Sequence, residues 1–534
     1  MSIARLSAAP HAPPSPCCSW RQQLVVLLFA TIARLVCASG QSVIGADSCR
    51  FLAAAESVEA GDLLALCRQD YHPLTAFCIG KLNGLQSWVV GESSDFRERQ
   101  AARERAAVFL SLVSGLVLVC VLLDLSRRLF PDLPPLMLGL LAALHPYFVR
   151  ASADIMSDAL FLALIALALR QAVLASERRG WLTVASAGGL VGIAYLARPE
   201  ALALLPAFAV YWWLSMRRER VRLAAWILLA GATALLLVVP YMITLHNETG
   251  QWLITRKKSI DKLFSWKTAH IYVVEPTVLR AGIGLAVDDF WAIWRVFTRW
   301  YFATSEALAV ASILGLGFIH RRREWRAGHV LFGVTAALLA LVLVRVCQSE
   351  GANYVTKRHA YALAFLSLPF AARGLIGLAG WVRAWVARYG WLRALVPSRF
   401  DDKIQNTILV LVLLPLAVKG MAPQRSDQQA ERAAADYIFA RGGAGQSVLS
   451  PLEKIAYYAG GTDVFQLGSA DSILALIADR REAWVAFYRD DLDEIASGLS
   501  ARLAAEIAGG RLTLIESFSE GRHAQLDLYR WKSP

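Results

Sequence analysis

The chain has 534 residues, of which 56% are hydrophobic and only 18% are charged, and its 55 lysines and arginines against 42 aspartates and glutamates give a formal charge of +13. Soluble globular chains contain about 45–50% apolar and about 25% charged residues, so this composition excludes a disordered or collagen-like chain and argues against a wholly soluble enzyme. Runs without aspartate, glutamate, lysine or arginine occupy 223–243 and 328–344. Because about 20 apolar residues cross a bilayer as a helix, the sequence predicts a mainly α-helical, polytopic membrane protein.

Hydropathy predicts about eleven transmembrane helices joined mostly by short connections. They lie at 22–40, 106–125, 133–149, 156–175, 181–197, 200–216, 223–244, 300–319, 328–345, 360–378 and 404–420. Several connections carry arginine clusters, including Arg127-Arg128, Arg178-Arg179 and Arg321–Arg323. Lysine and arginine in short loops mark the cytoplasmic side. With residues 1–21 in the cytoplasm every strong cluster falls on that side, which accounts for the positive charge without a nucleic acid partner.

Three longer stretches then remain on the outer side of the membrane: loops at about 41–105 and 245–298, and a tail from about 421 onwards. In the tail a helical run alternates with short β-like runs, which predicts a small α/β domain. The helical run is 428–441, and the β-like runs are 447–449, 483–488, 512–515 and 525–529. We therefore divide the chain into a cytoplasmic segment, 1–21, a multi-span module, 22–420, and an outer domain, 421–534. The alternation of apolar residues with arginine from Trp381 to Leu395 predicts an amphipathic helix on the cytoplasmic face.

Ionisable residues collect at the outer ends of the predicted spans and in the outer loops. Such residues are costly at membrane depth and often mark a site, so we expect a reaction centre at the outer interface. The candidates are Asp47, Glu56, Asp70, His72, Asp154, Asp158, Arg198, Glu200, Lys357 and Arg358.

Two candidates in the first outer loop each have two explanations. Asp47 follows the first span, where a carboxylate is suited to act as a general base toward a hydroxyl group. It is equally suited to cap the helix predicted from Phe51 to Glu59, because aspartate is a favoured N-cap. His72 precedes Pro73 and so fits a turn as well as a substrate contact, since the residue before proline avoids helical geometry. A histidine satisfied by its neighbours is the simpler explanation for His72.

The remaining candidates are acids and bases at later span ends. Asp154 and Asp158 are four residues apart, which places both carboxylates on one face of a helix for binding a substrate or a metal. Acidity at a helix N-terminus is the structural alternative, and it explains Asp158 less well because an apolar run follows directly. Arg198 and Glu200 flank Pro199, either as a turn with an ion pair or as an anion contact.

Lys357 and Arg358 precede a late span. A cationic pair of this kind holds a phosphate through charge-assisted hydrogen bonds, and snorkelling toward the interface is the alternative. The sequence shows no nucleotide-binding, zinc-ligand or nucleophile-elbow motif in a fitting context. The carboxylates allow a divalent metal, but we predict no metal site.

The order of these features resembles the GT-C glycosyltransferases, and in particular family 39-like enzymes such as the protein O-mannosyltransferases and the lipid A aminoarabinose transferase. The resemblance covers essentially the whole chain and rests on short motifs that occur in the same order. They are Ala46-Asp47-Ser48, Tyr71-His72-Pro73-Leu74, Ser157–Phe161, the glycine-rich span from Gly188 to Arg198-Pro199-Glu200, and Tyr354–Tyr361. The chain departs from the family pattern at Ser48, where a second acid usually follows, and at His359, where tyrosine is usual.

The resemblance implies a membrane glycosyltransferase that uses a polyprenyl-phosphate sugar as donor and inverts the anomeric carbon. It implies Asp47 as the base toward the acceptor hydroxyl, and Lys357, Arg358 and Arg198 as contacts of the departing lipid phosphate. Asp158 is the second predicted catalytic residue, and His72, Asp154 and Glu200 are further predicted substrate contacts. The acceptor is a lipid, glycan or protein, and the expected location is a bacterial inner membrane with the active site and the tail on the periplasmic side.

Two hypotheses from other classes stay open. One is a transporter or flippase of a lipid-linked sugar, although transporters often show two related halves and charges near the mid-membrane, and neither is seen in this sequence. The other is a non-catalytic family member acting in envelope assembly, which the missing second acid at Ser48 suggests.

Overall fold

The computed structural model describes residues 20–532 apart from 42, 70, 92, 257, 260–276, 351–354, 390–403, 426–427, 462–468, 481 and 521–523, so the predicted candidate Asp70 lies outside the described residues. The chain divides into two compact units. The first, which we call the helical unit, comprises Met1–Cys37, Ala60–Cys78 and Val108–Ala422. The second, which we call the composite unit, comprises Ala38–Glu59, Ile79–Ala107 and Pro423–Pro534.

Helices dominate the chain as far as residue 421. In chain order they are α1 (Trp20–Ser39), α2 (Ala46–Glu59), α3 (Ala65–Arg68), α4 (Pro73–Val90), α5 (Phe96–Leu129), α6 (Pro135–Leu144), α7 (Pro146–Ala153), α8 (Asp158–Arg178), α9 (Trp181–Ala197), α10 (Leu204–Ser215), α11 (Arg220–Thr249), α12 (Thr277–Ala303), α13 (Glu306–Arg322), α14 (Ala327–Glu350), α15 (Tyr361–Arg388) and α16 (Ile404–Met421). Short 3-10 helices occupy Pro199–Ala203 and Lys357–Ala360, and strands β1 (Leu253–Thr255) and β2 (Lys258–Ser259) form an antiparallel pair.

Each of the predicted apolar segments contains helix, which confirms a mainly helical, multi-pass membrane protein. Among the described residues seven helices are long and apolar enough to cross a membrane, and nine spans result if each of two bent helix pairs counts as one. The two remaining predicted spans are shorter. Helix α9 has 17 residues and ends just before Pro199, and α10 has only 12 residues after the 3-10 turn.

Two predicted spans are broken helices, which hydropathy does not distinguish from straight ones. Helices α6 and α7 meet at 55°, and the part of α12 from Phe290 meets α13 at 111°. Pro146 causes the first break because proline lacks the N–H that a continuous helix needs. The ring of His145 at this break lies 3.1 Å, through Nε2, from the carbonyl oxygen of Thr304 at the other. A side chain at the first break therefore supplies a hydrogen-bond partner for a backbone carbonyl at the second.

Helices of the helical unit pack closely where glycines face a neighbouring backbone. A Cβ atom on Gly188 in α9 would lie 2.1 Å from the carbonyl oxygen of Ala230 in α11. A Cβ atom on Gly374 in α15 would lie 1.8 Å from the carbonyl oxygen of Ala311 in α13. Small residues permit this approach, which supplies the van der Waals contact that holds membrane helices together.

The tail forms a sheet with helices around it. Its strands are β3 (Val448–Leu449), β4 (Glu482–Tyr488), β5 (Leu512–Glu520) and β6 (Ala524–Lys532), in the order β3-β4-β6-β5, with β3 parallel to β4 and the other pairs antiparallel. The helices are α17 (Gln429–Gly442), α18 (Glu453–Ala459), α19 (Ala470–Ala478), α20 (Leu492–Ile495) and α21 (Leu499–Ala508). The α/β character predicted for the tail is confirmed. The predicted run 512–515 is only the apolar start of strand β5. The strand continues to Glu520 because its polar residues also pair with β6, and hydropathy does not mark polar strand residues.

Two local expectations differ from the structure or fall partly outside it. The first outer helix begins at Ala46 rather than at the predicted Phe51. Helix α15 continues to Arg388 and so covers the first half of the predicted amphipathic helix, whereas residues 390–403 lie outside the described part of the chain.

Candidate functional site

Three of the predicted site residues meet in the helical unit. The carboxylate of Asp158 accepts a hydrogen bond from Nη2 of Arg198 at Oδ1, at 2.5 Å, and one from Nε of Arg358 at Oδ2, at 3.0 Å. Asp158 is only 3% exposed, whereas the side chains of Arg198 and Arg358 are 12% and 33% exposed. We call these three residues the arginine clamp.

Local sequence places each member of the clamp. Asp158 is the first residue of α8, directly after the bend at 154–157. Arg198 follows the last residue of α9 and is extended, as expected before Pro199. Arg358 lies in the 3-10 helix Lys357–Ala360, whose start is held by a capping box between Thr356 and His359. The clamp therefore joins the start of one helix, the end of another and a short 3-10 turn. Arg198 is 40 positions and Arg358 is 200 positions from Asp158 in the sequence.

The clamp itself holds two positive charges and one negative charge, and the carboxylate of Glu200 acts electrostatically on the neighbouring His359. One carboxylate faces two guanidinium groups, and burying a carboxylate is tolerated only when it is paired in this way. Arg198 is further held by Oγ of Ser157, at 3.3 Å, and lies 5.7 Å from the ring centre of Phe161. Arg358 is the more exposed of the two arginines, and exposed Lys357 is its neighbour, with Nζ 5.3 Å from the ring centre of Phe302. Arg358 and Lys357 are therefore two accessible cations that suit an anionic group such as phosphate.

The other predicted contacts lie on further segments of the helical unit. Asp154 is buried in the bend, where Oδ1 accepts from the backbone N–H of Ile155 at 2.9 Å and its carbonyl oxygen accepts from Ser111 at 2.8 Å. His72 packs edge-on against Tyr195, with ring centres 5.7 Å apart. Glu200 lies in the first turn of the 3-10 helix Pro199–Ala203.

Asp47 lies in the composite unit. It is half-buried in the first turn of α2, one residue inside the helix rather than at the preceding cap position. Glu56, on the same helix, pairs with Arg103 at 3.4 Å, and so does Glu59 at 2.9 Å.

The sequence analysis did not name three residues near the clamp as candidate site residues: Tyr147, His359 and Tyr361. Nδ1 of His359 lies 3.0 Å from Oγ1 of Thr356, so His359 orders the turn that carries Arg358. Tyr361 lies three residues beyond Arg358, and its ring centre is 5.6 Å from that of Tyr147. Both His359 and Tyr361 stand inside a quoted motif, so their positions carried a signal. Tyr147 stands in no motif.

We searched the described part of the chain for side chains that could bind a metal ion together. Over those residues no group of three or more histidine, cysteine, aspartate or glutamate side chains lies close enough to hold a metal ion.

Comparison with known proteins supports a single fold. Residues 100–243 match the family described as dolichyl-phosphate-mannose-protein mannosyltransferase. ArnT from Cupriavidus metallidurans, bound to undecaprenyl phosphate, aligns over 96% of this chain and 98% of its own, with 14% identity and a TM-score of 0.55. The archaeal oligosaccharyltransferase AglB from Archaeoglobus fulgidus, in complex with an inhibitory peptide and a dolichol-phosphate, aligns over 88% of this chain and 70% of its own, with 11% identity and a TM-score of 0.54.

No curated protein matches the sequence at a significant level. At identities of 14% and 11%, the solved structures establish that the fold is shared. The family match is independent of them and concerns residues 100–243. The resemblance predicted from the order of the motifs is thereby confirmed: the chain is a multi-pass membrane protein with the GT-C glycosyltransferase fold, matched over residues 100–243 by the protein mannosyltransferase family.

Proposed function

We propose that this protein transfers a monosaccharide from a polyprenyl-phosphate carrier to a hydroxyl group of a lipid, glycan or protein. The observation that carries the proposal is the arginine clamp, a buried carboxylate that fixes two guanidinium groups beside an exposed lysine. Solved structures of the same fold bind undecaprenyl phosphate and dolichol-phosphate. A lipid phosphate is therefore the anion that we assign to Arg358 and Lys357.

The charge of the donor explains why cations serve the reaction. A sugar linked to a polyprenyl phosphate carries one negative charge, and the lipid phosphate released when the bond to the anomeric carbon breaks carries close to two. Preorganised cations therefore bind the transition state more tightly than the ground state. Both oxygens of Asp158 already accept from guanidinium groups. We assign Asp158 the role of orienting Arg358, with the less exposed Arg198 as its second partner.

Asp47 is the proposed base. It accepts the proton of the acceptor hydroxyl while that oxygen forms a bond to the anomeric carbon. The bond from the anomeric carbon to the phosphate oxygen breaks, and its electron pair leaves with the phosphate. One displacement of this kind inverts the anomeric configuration. His72, Asp154 and Glu200 remain proposed contacts of donor or acceptor.

The orientation of single helices supports a site on the outer side. Helix α8 begins at Asp158 and ends at Arg178, next to Arg179. Helix α13 ends at Arg322, also in an arginine cluster. Since such clusters mark the cytoplasmic side, the clamp belongs to the opposite, outer side. We propose a bacterial inner membrane with the clamp facing the periplasm.

The test is transfer by purified protein from a panel of radiolabelled polyprenyl-phosphate sugars. Asp47→Asn is the test variant, and Asp62→Asn, an exposed acid whose side chain accepts from the N–H of Ala65, is its matched control. We expect label to move to an acceptor or to water with wild type and the control, and not with Asp47→Asn. Undiminished transfer by Asp47→Asn removes the role of that residue.

Two further outcomes concern wild-type protein that transfers sugar from none of the donors. Consumption of none of the donors by wild type contradicts the transferase. Movement of an intact labelled donor across proteoliposomes without consumption then indicates a transporter.

A further inference from the structure

The segment just before Asp47 is buried although it connects two helices. Val43 and Ile44 are 1% and 5% exposed, and Gly45 is buried as well. Connecting segments usually run over the surface because their backbone N–H and C=O groups need partners. A buried connection therefore depends on the groups that replace water around it.

Those groups come from the far end of the chain. The backbone N–H of Ile44 donates to the hydroxyl oxygen of Tyr458, at 3.0 Å. Nη1 of Arg425 lies 3.5 Å from the carbonyl oxygen of Val43, at the limit of a hydrogen bond. A Cβ atom on Gly45 would lie 2.9 Å from Nη2 of Arg425, so the guanidinium group packs directly against this glycine.

Tyr458 is itself held rigidly. It is 1% exposed, and the guanidinium carbon of Arg432 lies 3.9 Å from its ring centre. Burial, with the nearby charge of Glu104, raises the pKa of Tyr458 to about 12, so the phenol stays protonated in the physiological range. Its oxygen is thus a fixed, neutral acceptor for the amide of Ile44.

The other side of Asp47 is tied to the same helix. Arg50 forms a bidentate ion pair with Glu453, which lies in the first turn of α18. Tyr458 lies in the same short helix. Contacts three residues before and three residues after Asp47 therefore both lead to α18, within the composite unit.

From these contacts we infer that Tyr458, Arg425 and Glu453 are positioning residues for Asp47, so that the C-terminal segment sets the place of the proposed base. This inference rests on the proposed function, because it assigns Asp47 to the transfer step. It gives the tail a part in the chemical step, beyond any selection of the acceptor.

The kinetic test is Tyr458→Phe, which keeps the ring and removes the acceptor oxygen. Tyr437→Phe is the matched control, because Tyr437 lies in the same domain and its ring contacts with Trp484 and Phe518 survive the change. A displaced base lowers the rate of the chemical step more than donor binding. We expect Tyr458→Phe to lower kcat about tenfold with donor KM unchanged, Glu453→Gln to do the same, and Tyr437→Phe to resemble wild type.

A second readout does not depend on activity. Cys49 lies one turn beyond Gly45, with Sγ 3.8 Å from the carbonyl oxygen of Gly45, and is buried. Burial raises the pKa of the Cys49 thiol, so the native protein reacts slowly with N-ethylmaleimide. Peptide mass spectrometry of the labelled full-length chain measures Cys49 beside buried Cys67 as an internal control. We expect faster labelling of Cys49 alone in Tyr458→Phe, about tenfold or more, as the segment loosens.

The outcomes separate the inference from the proposed function. Unchanged kcat and unchanged Cys49 labelling in Tyr458→Phe overturn the inference. A raised acceptor KM with unchanged kcat overturns it as well, because the tail then acts in acceptor binding. If wild type consumes no donor, the proposed function fails, and Cys49 labelling alone decides whether Tyr458 holds the segment.

Discussion

Arg34 shows what a single buried charge does in this molecule. It lies in the apolar helix α1 with its side chain fully buried. Its guanidinium donates to the carbonyl oxygen of Ala143 at 2.9 Å, to that of Ala30 at 3.1 Å and to Oγ of Ser152 at 3.2 Å. Ala143 is in the last turn of α6, where the break at Pro146 leaves carbonyls without helical partners. Arg34 donates to one such carbonyl in α6 and to Ser152 in α7, and so joins α1 to both sides of the break.

Replacing Arg34 tests this role. Arg34→Met removes the side-chain donor to the buried carbonyl oxygen of Ala143, and an unsatisfied buried group of this kind costs about 1–3 kcal/mol. We expect a clearly lowered melting temperature in detergent, measured by intrinsic fluorescence, with Arg34→Lys in between because one ammonium group cannot bridge all three acceptors. Arg21→Met on the exposed start of the same helix is the control. Equal melting temperatures for Arg34→Met and the control contradict the role.

The buried ion pairs of the clamp can be compared with an exposed ion pair elsewhere in the chain. Asp158→Asn removes the carboxylate charge that both arginines share, and removing one partner of a buried pair costs about 3–5 kcal/mol. The pair of Asp132 with Arg326 has both side chains nearly half exposed, and such pairs contribute about 0–1 kcal/mol. Asp158→Asn should therefore lower the melting temperature and abolish transfer, whereas Asp132→Asn should do neither. Full activity in stable Asp158→Asn protein removes the clamp from the proposed mechanism.

Helices and strands were largely predictable because each leaves a local signal. The helix predicted at 428–441 is found at Gln429–Gly442, and the β-like run 483–488 is found at Glu482–Tyr488. The breaks at residues 145 and 304 were not predicted, since a hydropathy window averages over a bend. Which residues join the clamp was predicted in part, because the motifs marked Asp158, Arg198 and Arg358 but not their pairing.

Gly188 and Gly189 are neighbours in α9, but only Gly188 faces the backbone of α11. A Cβ atom on Gly188 would collide with the backbone of α11, whereas one on Gly189 would meet nothing within 4 Å. Overpacking costs about 1–3 kcal/mol, and alanine is otherwise favoured over glycine in a helix. We expect Gly188→Ala to lower the melting temperature and Gly189→Ala to leave it unchanged or raise it. The reverse order would contradict the close packing of α9 and α11.

At the scale of the whole molecule, composition and arginine placement predicted a multi-pass protein, but not the composite unit. Its three segments are far apart in sequence, and no shared pattern marks them as partners. Only tertiary contacts, such as Arg103 with Glu59 and Arg50 with Glu453, reveal the unit. The last segment of the composite unit begins at Pro423, and the first outer loop contributes segments to both units. The predicted division of the chain at residues 21 and 420 stays a prediction.

The proposed orientation predicts the behaviour of reporter fusions. Alkaline phosphatase is active only after export, so a fusion after Pro534 should be active. A fusion after Arg323, in the connection between α13 and α14, should be inactive and is the control for the opposite side. Activity of the Arg323 fusion with silence of the Pro534 fusion would reverse the proposed topology.

The hydrogen bond between Ile44 and Tyr458 joins positions 414 residues apart. Ribosomes add about 5–20 residues per second, so roughly 20–80 s of synthesis separate these two partners. A nascent chain inserts its first helices long before the amide beside Asp47 finds its acceptor. A polypeptide that ends between residues 421 and 458 therefore carries every helix from α1 to α16 and still lacks the acceptor that holds its first outer segment. Under the proposed function, such an unfinished chain is inserted in the membrane but unable to consume the carrier lipid until Tyr458 has been made.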